Sequence, residues 1–173
     1  MAELRQNTWE LNKWYAESVA GSTGGYSGDI QLWMWGRNSE GALGQNDLTS
    51  RSSPVQVPGT WASVMMTETG SSDGNQTKSW SAINSDGELW GWGLNEYGGL
   101  GLNDLTSRSS PTQVGGTTWS DISGTGRHRA AIKTDGTLWT WGYNVNGQLG
   151  ISDTTQYSSP KQVPGTTWST SSC

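Results

Sequence analysis

Phenylalanine is absent from this 173-residue chain, cysteine occurs only as Cys173 and histidine only as His128. A single cysteine excludes an internal disulfide framework and a thiolate metal cage. A single histidine leaves almost no room for a His-rich metal site. Charged residues make up only 14% of the chain, 10 basic against 15 acidic, and the basic ones do not cluster. A grip on nucleic-acid phosphates needs clustered Lys and Arg, so no nucleic-acid partner is expected. No apolar run approaches the roughly 18 residues of a membrane helix, and no membrane insertion is expected. The opening Met1-Ala2-Glu3-Leu4-Arg5-Gln6-Asn7 lacks the apolar stretch of a signal peptide.

What the chain does have is 25 Gly and 12 Trp, and they repeat. Leu32-Trp33-Met34-Trp35-Gly36 recurs as Leu89-Trp90-Gly91-Trp92-Gly93 and Leu138-Trp139-Thr140-Trp141-Gly142, at offsets of 57 and 49. Ser-Ser-Pro ends at Pro54, Pro111 and Pro160 with the same offsets. A lone Trp follows at Trp61, Trp119 and Trp168, spaced 58 and 49. The stretch from Asn46 to Pro54 returns unchanged from Asn103 to Pro111. Three independent markers in register establish an internal repeat. The unequal offsets place an insertion near residues 67–77, whose polar, Gly-rich composition reads as a surface loop between strands. The units are taken as 14–60, 61–118 and 119–167, after an N-terminal segment 1–13 and before the start of a fourth unit at 168–173.

Within a unit the local signals are β. Asp86-Gly87 and Asp135-Gly136 are tight-turn dipeptides. The second joins 129–133 to 137–141, where Trp139 and Trp141 share one face and Leu138 and Thr140 the other. Trp119 to Ser123 reads as a further strand, and Lys161 to Val163, after the proline, as a fourth. Residues 8–20 read as irregular or strand. About four short strands per roughly 50 residues is the pattern of a propeller blade.

The run from Asp135-Gly136 through Trp141-Gly142-Tyr143-Asn144-Val145-Asn146-Gly147-Gln148-Leu149-Gly150 resembles the signature of regulator-of-chromosome-condensation repeats. The second unit keeps it with Gly99, and the first with Ala42, where Gln is usual. The family's Gly-x-x-His survives in part before His128, and Ser79 replaces the His in the second unit. The resemblance covers about residues 14–168. It implies an all-β fold of β-propeller blades, each of about four antiparallel strands: three blades plus the start of a fourth. Family propellers close with about seven blades, and three cannot close such a ring. The chain is therefore expected to continue beyond Cys173 or to share a ring or stack with further copies of itself.

Gly41, Gly44, Gly98, Gly101, Gly147 and Gly150 mark sharp loops. Asn38, Asn95 and Asn144 suit left-handed backbone and can bond to nearby main chain. Leu43, Leu100 and Leu149 are expected to plug the space between blades, and the repeated Trp residues to fill the core in place of Phe. Trp80 stands outside the repeat pattern and is expected to be exposed. His128 has no nucleophile or paired carboxylate at a catalytic spacing and is expected to be structural. Asp47, Asp104 and Asp153 recur after the Gly-rich loop but lack calcium-loop spacing, so they read as turn formers. No catalytic residue, cofactor, metal site or small-molecule ligand is expected.

Function is expected in the hairpins that precede each Asp-Gly, because they differ between units and emerge on one face. Tyr26, Ser71, Asp73, Asn75, Trp80 and Arg127 are the candidate partner-binding residues. The family archetype is a guanine-nucleotide exchange factor that binds nucleosomes, but the loops that carry that role have no counterpart here. A glycan hydrolase would need two facing carboxylates, and Glu40, Glu88 and Glu96 occupy different repeat positions. The chain is also similar, more loosely, to Trp-rich repeat proteins of tailed phages of marine bacteria. That similarity implies a non-enzymatic virion component, such as a capsid decoration, tail or fibre protein, whose partners are other virion proteins or further copies. A bacterial surface or secreted adhesive repeat protein is the alternative.

Overall fold

The computed structural model describes residues 30–69, 77–125 and 127–169. Its regular elements there are β1 (Ile30–Gly36), β2 (Arg51–Thr69), β3 (Thr77–Asn84), β4 (Leu89–Gly93), β5 (Arg108–Gln113), β6 (Trp119–Gly124), β7 (His128–Lys133), β8 (Leu138–Gly142) and β9 (Tyr157–Gln162). Every pairing is antiparallel between chain neighbours, giving one sheet β1-β2-β3-β4-β5 and another β6-β7-β8-β9. The described residues contain no helix long and apolar enough to cross a membrane.

The five-stranded sheet is two blades joined through one strand. The first part of β2 pairs with β1, from Gly36↔Arg51 through Leu32↔Val57 to Ile30↔Trp61. From Trp61 onward β2 pairs with β3, from Trp61↔Asn84 to Thr69↔Thr77. Residues 61–113 thus form one four-stranded blade and 119–162 the next, while β1 and residues 51–57 are the outer strands of the blade before them. The one-residue difference in Trp spacing has its cause here. Val57 reaches Trp61 in four steps inside β2, with Gly59 at φ 127°. Val114 reaches Trp119 in five, outside any strand, with Gly116 at φ 88° and Thr118 at φ 72°. The Trp168 N–H donates to Gly136 O at 3.2 Å, as the Trp119 N–H does to Gly87 O at 2.9 Å, so Trp168 stands where a further blade begins.

Two strand boundaries differ from the sequence expectation. The outer strand does not start after the proline: β9 runs from Tyr157 to Gln162 with Pro160 inside it, and β5 contains Pro111 likewise. Each is the last strand of its sheet, where a missing N–H costs no ladder bond. The insertion is not wholly loop. Pairing continues through Thr67↔Ser79, Glu68↔Lys78 and Thr69↔Thr77, so its base is a lengthened hairpin. The segment 8–20 lies outside the described residues.

The Gly-rich loop after each LWxWG strand is held by one buried amide. The Asn38, Asn95 and Asn144 Oδ1 atoms accept the N–H of Leu43, Leu100 and Leu149 at 2.8, 2.9 and 2.9 Å. Their Nδ2 groups donate to the carbonyls of Asp47, Asp104 and Asp153 at 2.9, 3.0 and 3.0 Å. These asparagines do not adopt left-handed backbone themselves; Asn46, Asn103 and Ser152 do, with φ 60°, 62° and 65°. The recurring Asp side chains close turns, accepting the N–H of Thr49, Thr106 and Thr155 at 2.9 Å each.

The core lies between blades. Met34, Leu43, Val57, Trp61, Ala82 and Trp92 form one cluster, and Ile83, Leu89, Val114, Trp119, Ile122, Ala131 and Trp141 another. Leu43, Leu100 and Leu149 are all buried, Leu149 even though open space faces Gly147 and Gly150 beside it, so each packs into its own blade. Burying each large side chain contributes roughly 1.5–3 kcal/mol, so the four buried Trp residues weigh heavily. The Trp set does not behave uniformly, however. Trp33 and Trp35 are 48% and 62% exposed, whereas the equivalents of Trp35, Trp92 and Trp141, are fully buried.

Candidate protein-recognition face

The hairpins β2–β3 and β6–β7 occupy the same position in successive blades, and their tips leave the same end of the sheets. The loop that follows β8 begins at that end too, since His128 pairs with Gly142 and the Tyr143 N–H donates to Arg127 O at 2.8 Å. Three side chains meet there. The Arg127 guanidinium carbon lies 5.2 Å from the Tyr97 ring centroid and 5.9 Å from that of Tyr143. The two rings pack edge to face at 5.1 Å. Tyr97 comes from the Gly-rich loop of one blade and Tyr143 and Arg127 from the next, so the cluster straddles a blade boundary. Arg127 is exposed and both tyrosines are half-buried. Rigid aromatic rings beside an exposed guanidinium have the composition of interface hot spots.

Behind this cluster the hairpin is pinned. His128 Nδ1 sits 3.1 Å from Thr125 Oγ1, and the Thr125 N–H donates to His128 O at 2.9 Å. Burial lowers the His128 imidazole below its usual range. The histidine thus holds the turn that presents Arg127.

The sequence candidates separate. Arg127 is on the face. Tyr26, Ser71, Asp73 and Asn75 lie outside the described residues. Trp80 is not exposed as expected: it is half-buried, its ring parallel to that of Trp92 within 8° at 6.4 Å, with Nε1 buried and without a hydrogen-bond partner. The reason is register. Trp80 pairs with Trp92 as Arg129 pairs with Trp141, so both positions point into a blade boundary.

Arg129 is the residue that sequence reasoning missed. It is fully buried and crosses to the preceding blade, donating to Trp80 O at 3.1 Å, to Ser79 Oγ at 2.6 Å and to Ser81 Oγ. Burial pushes its guanidinium down to about 9. Tyr97 and Tyr143 were also missed, because their partner Arg127 is distant from Tyr97 in sequence. The 49-residue offset that aligns position 80 with 129 was the available signal for Arg129.

A second concavity, of about 430 Å³, lies at the first blade boundary, between Pro58, Trp61, Trp90 and Pro111. Asn84 lines it, curled back to donate to Glu88 Oε2 at 2.7 Å. In the following blade the equivalent position is Lys133, whose ammonium lies 4.8 and 4.6 Å from the Trp119 and Trp139 centroids. Among the described residues no three His, Cys, Asp or Glu side chains gather as a metal site.

The regulator of chromosome condensation (RCC1) repeat matches residues 31–68, 86–132 and 135–173, most of the chain. The chain belongs to the RCC1 repeat family. The ultraviolet-B receptor UVR8 of Arabidopsis thaliana is 33% identical over 105 residues, 58% of this chain and 22% of the receptor. The probable E3 ubiquitin-protein ligase HERC3 of Homo sapiens is 34% identical over 87 residues, 50% of this chain and 8% of the ligase. Among solved structures, human WBSCR16 superposes with TM-score 0.62 at 23% identity, covering 78% of this chain and 33% of that one. Prp20p of Saccharomyces cerevisiae superposes with TM-score 0.62 at 15% identity, covering 79% and 34%. At these identities the likeness shows the RCC1-type propeller fold. The chain spans about a fifth of the UVR8 relative and a third of each of these propellers. The two sheets form part of a propeller and do not close.

Proposed function

We propose that this RCC1-repeat chain is a non-enzymatic recognition scaffold, and that its setting is the surface of a phage particle. The observation that carries the recognition reading is the Arg127–Tyr97–Tyr143 cluster, set across a blade boundary on the end of the sheets from which the lengthened β2–β3 hairpin emerges. A rigid β scaffold with variable hairpins on one face suits protein recognition. Prp20p, a relative in fold, is described with binding properties toward Gsp1p and histones, and a further structure has Kap60 bound to yeast RCC1. The partner proposed for this chain is another virion protein. The virion setting rests on the looser similarity of this Trp-rich, Ser/Thr-rich, weakly charged repeat sequence to repeat proteins of tailed phages.

Mass spectrometry of density-banded phage particles tests the setting. The expected result is the chain among the structural proteins, and its absence from intact particles overturns the reading. Deleting residues 70–76 and substituting Arg127→Ala test the face separately. Each is expected to lower incorporation into particles while leaving the thermal melt in place; unchanged incorporation in both removes this face as the interface.

A further inference from the structure

The two internal blade boundaries are built from the same parts. The Trp92 Nε1–H donates to Ala42 O at 3.1 Å, and the Trp141 Nε1–H to Gly99 O at 2.9 Å. The Asn46 N–H donates to Ser109 O, and the Asn103 N–H to Ser158 O, both at 2.7 Å. Gly41 and Gly98 press so closely on the next blade that a Cβ would lie 2.5 and 2.6 Å from the Cα atoms of Ser109 and Ser158. Each boundary therefore has a socket, the Gly-rich loop of one blade, and a plug, the second Trp and first Ser of the blade that follows.

Among the described residues one socket and one plug face no other blade. At the C-terminal side the third loop keeps the socket geometry, with Gly147 at φ 79° beside 76° for Gly41 and Gly98, and Ser152 at φ 65° where Asn46 and Asn103 stand. Leu149 is buried like Leu43 and Leu100, so the loop is already formed. Yet a Cβ at Gly147 or Gly150 would meet nothing within 4 Å. At the N-terminal side the leftover plug is Trp35, 62% exposed where Trp92 and Trp141 are fully buried, with Ser52 exposed beside it.

The geometry points to head-to-tail association of this chain with a second copy, Trp35 and Ser52 of one copy seated on the Gly147–Gly150 loop of the next. The indole Nε1–H would donate to the Gln148 carbonyl and the Ser152 N–H to the Ser52 carbonyl. The occupant is a copy of this chain because each copy carries both halves, and each half is matched to a boundary the chain already makes twice. The contact is heterologous, so it adds copies in one direction and ends only where a ring closes. This inference is independent of the recognition face.

Two variants on opposite ends test it. Trp35→Ala removes the plug. Gly147→Asn blocks the socket, since Asn tolerates left-handed backbone and meets nothing on the free loop, yet its Cβ would strike the incoming chain as at Gly98. By light scattering the wild type is expected to rise in mass with concentration, and each variant to stay at the 18.6 kDa monomer. An equimolar mixture of the two variants has one good plug and one good socket, and is expected to form dimers and nothing larger. A wild type that remains monomeric overturns the inference, as does assembly that both variants leave intact. Hydroxyl-radical footprinting of the wild type gives a readout free of folding effects: protection of Trp35 should grow with concentration, and constant labelling overturns the inference.

Discussion

The Gly-rich loops of the second and third units share a sequence pattern and a backbone, and differ in what stands against them. Gly98 and Gly101 are buried under the following blade, whereas Gly147 and Gly150 face open space. Asn95 and Asn144 hold the two loops through matching bonds to Leu100 and Leu149. The loop is thus formed by its own blade and does not need its neighbour. What the neighbour adds is burial, so the same glycine is a conformational requirement in one unit and also a steric one in the other.

The largest expected effect separates those two requirements. Gly98→Ala must accept both a φ of 76° and a Cβ driven into the Ser158 backbone, and is expected to cost about 3 kcal/mol or more. Gly147→Ala faces only the unfavourable φ, and should cost about 1 kcal/mol. Urea denaturation of the two variants at low protein concentration measures the difference, and equal losses would mean that packing against the next blade is not what fixes Gly98.

A smaller contrast concerns the plugs. Trp141→Phe keeps most of the buried ring but removes the donor to Gly99 O, leaving a buried carbonyl short of a partner; about 1 kcal/mol is expected. Trp35→Phe, at an exposed site, should leave the stability of the monomer unchanged. The smallest effect is in pH. Burial holds the folded His128 below its ordinary value of about 6.5, so the unfolded chain takes up the proton first. Stability is then complete above that range and falls as pH drops through it toward the lowered folded value. The urea midpoint should decline slightly between neutral and mildly acidic pH, and His128→Gln should flatten the decline. A decline that survives the substitution would assign it to other groups.

The repeat was legible because glycine, tryptophan and proline carry backbone and packing constraints that recur at fixed spacing. LWxWG located β1, β4 and β8, and the Asp-Gly dipeptides located the hairpins that lead into β4 and β8. The outer strand was misplaced because Pro160 reads as a breaker, and only its edge position makes it tolerable. Trp80 and Arg129 were misread for one shared reason. Their side chains point into a boundary between blades, where Arg129 meets Trp80, 49 residues earlier, and Trp80 packs against the cluster that holds Met34 and Leu43, so local sequence carries no sign of it. The Arg127–Tyr97–Tyr143 cluster was half visible: Arg127 was named, while the tyrosines that flank it come from two different units.

The single strand that serves two blades has a consequence for how the molecule comes apart. Because β2 is at once the last strand of one blade and the first of the next, the two blades share one strand, paired with β1 from Arg51 to Trp61 and with β3 from Trp61 to Thr69. Opening either blade pulls on hydrogen bonds that belong to the other, which welds them into one cooperative unit. The next boundary has no shared strand, since β5 ends at Gln113 and β6 begins at Trp119. Two backbone bonds, from the Trp119 N–H to Gly87 O and from the Asn103 N–H to Ser158 O, join Trp141 and Arg129 in holding the last blade to the rest. The two joints thus share their loop and Trp contacts and differ in the strand that runs through the first alone.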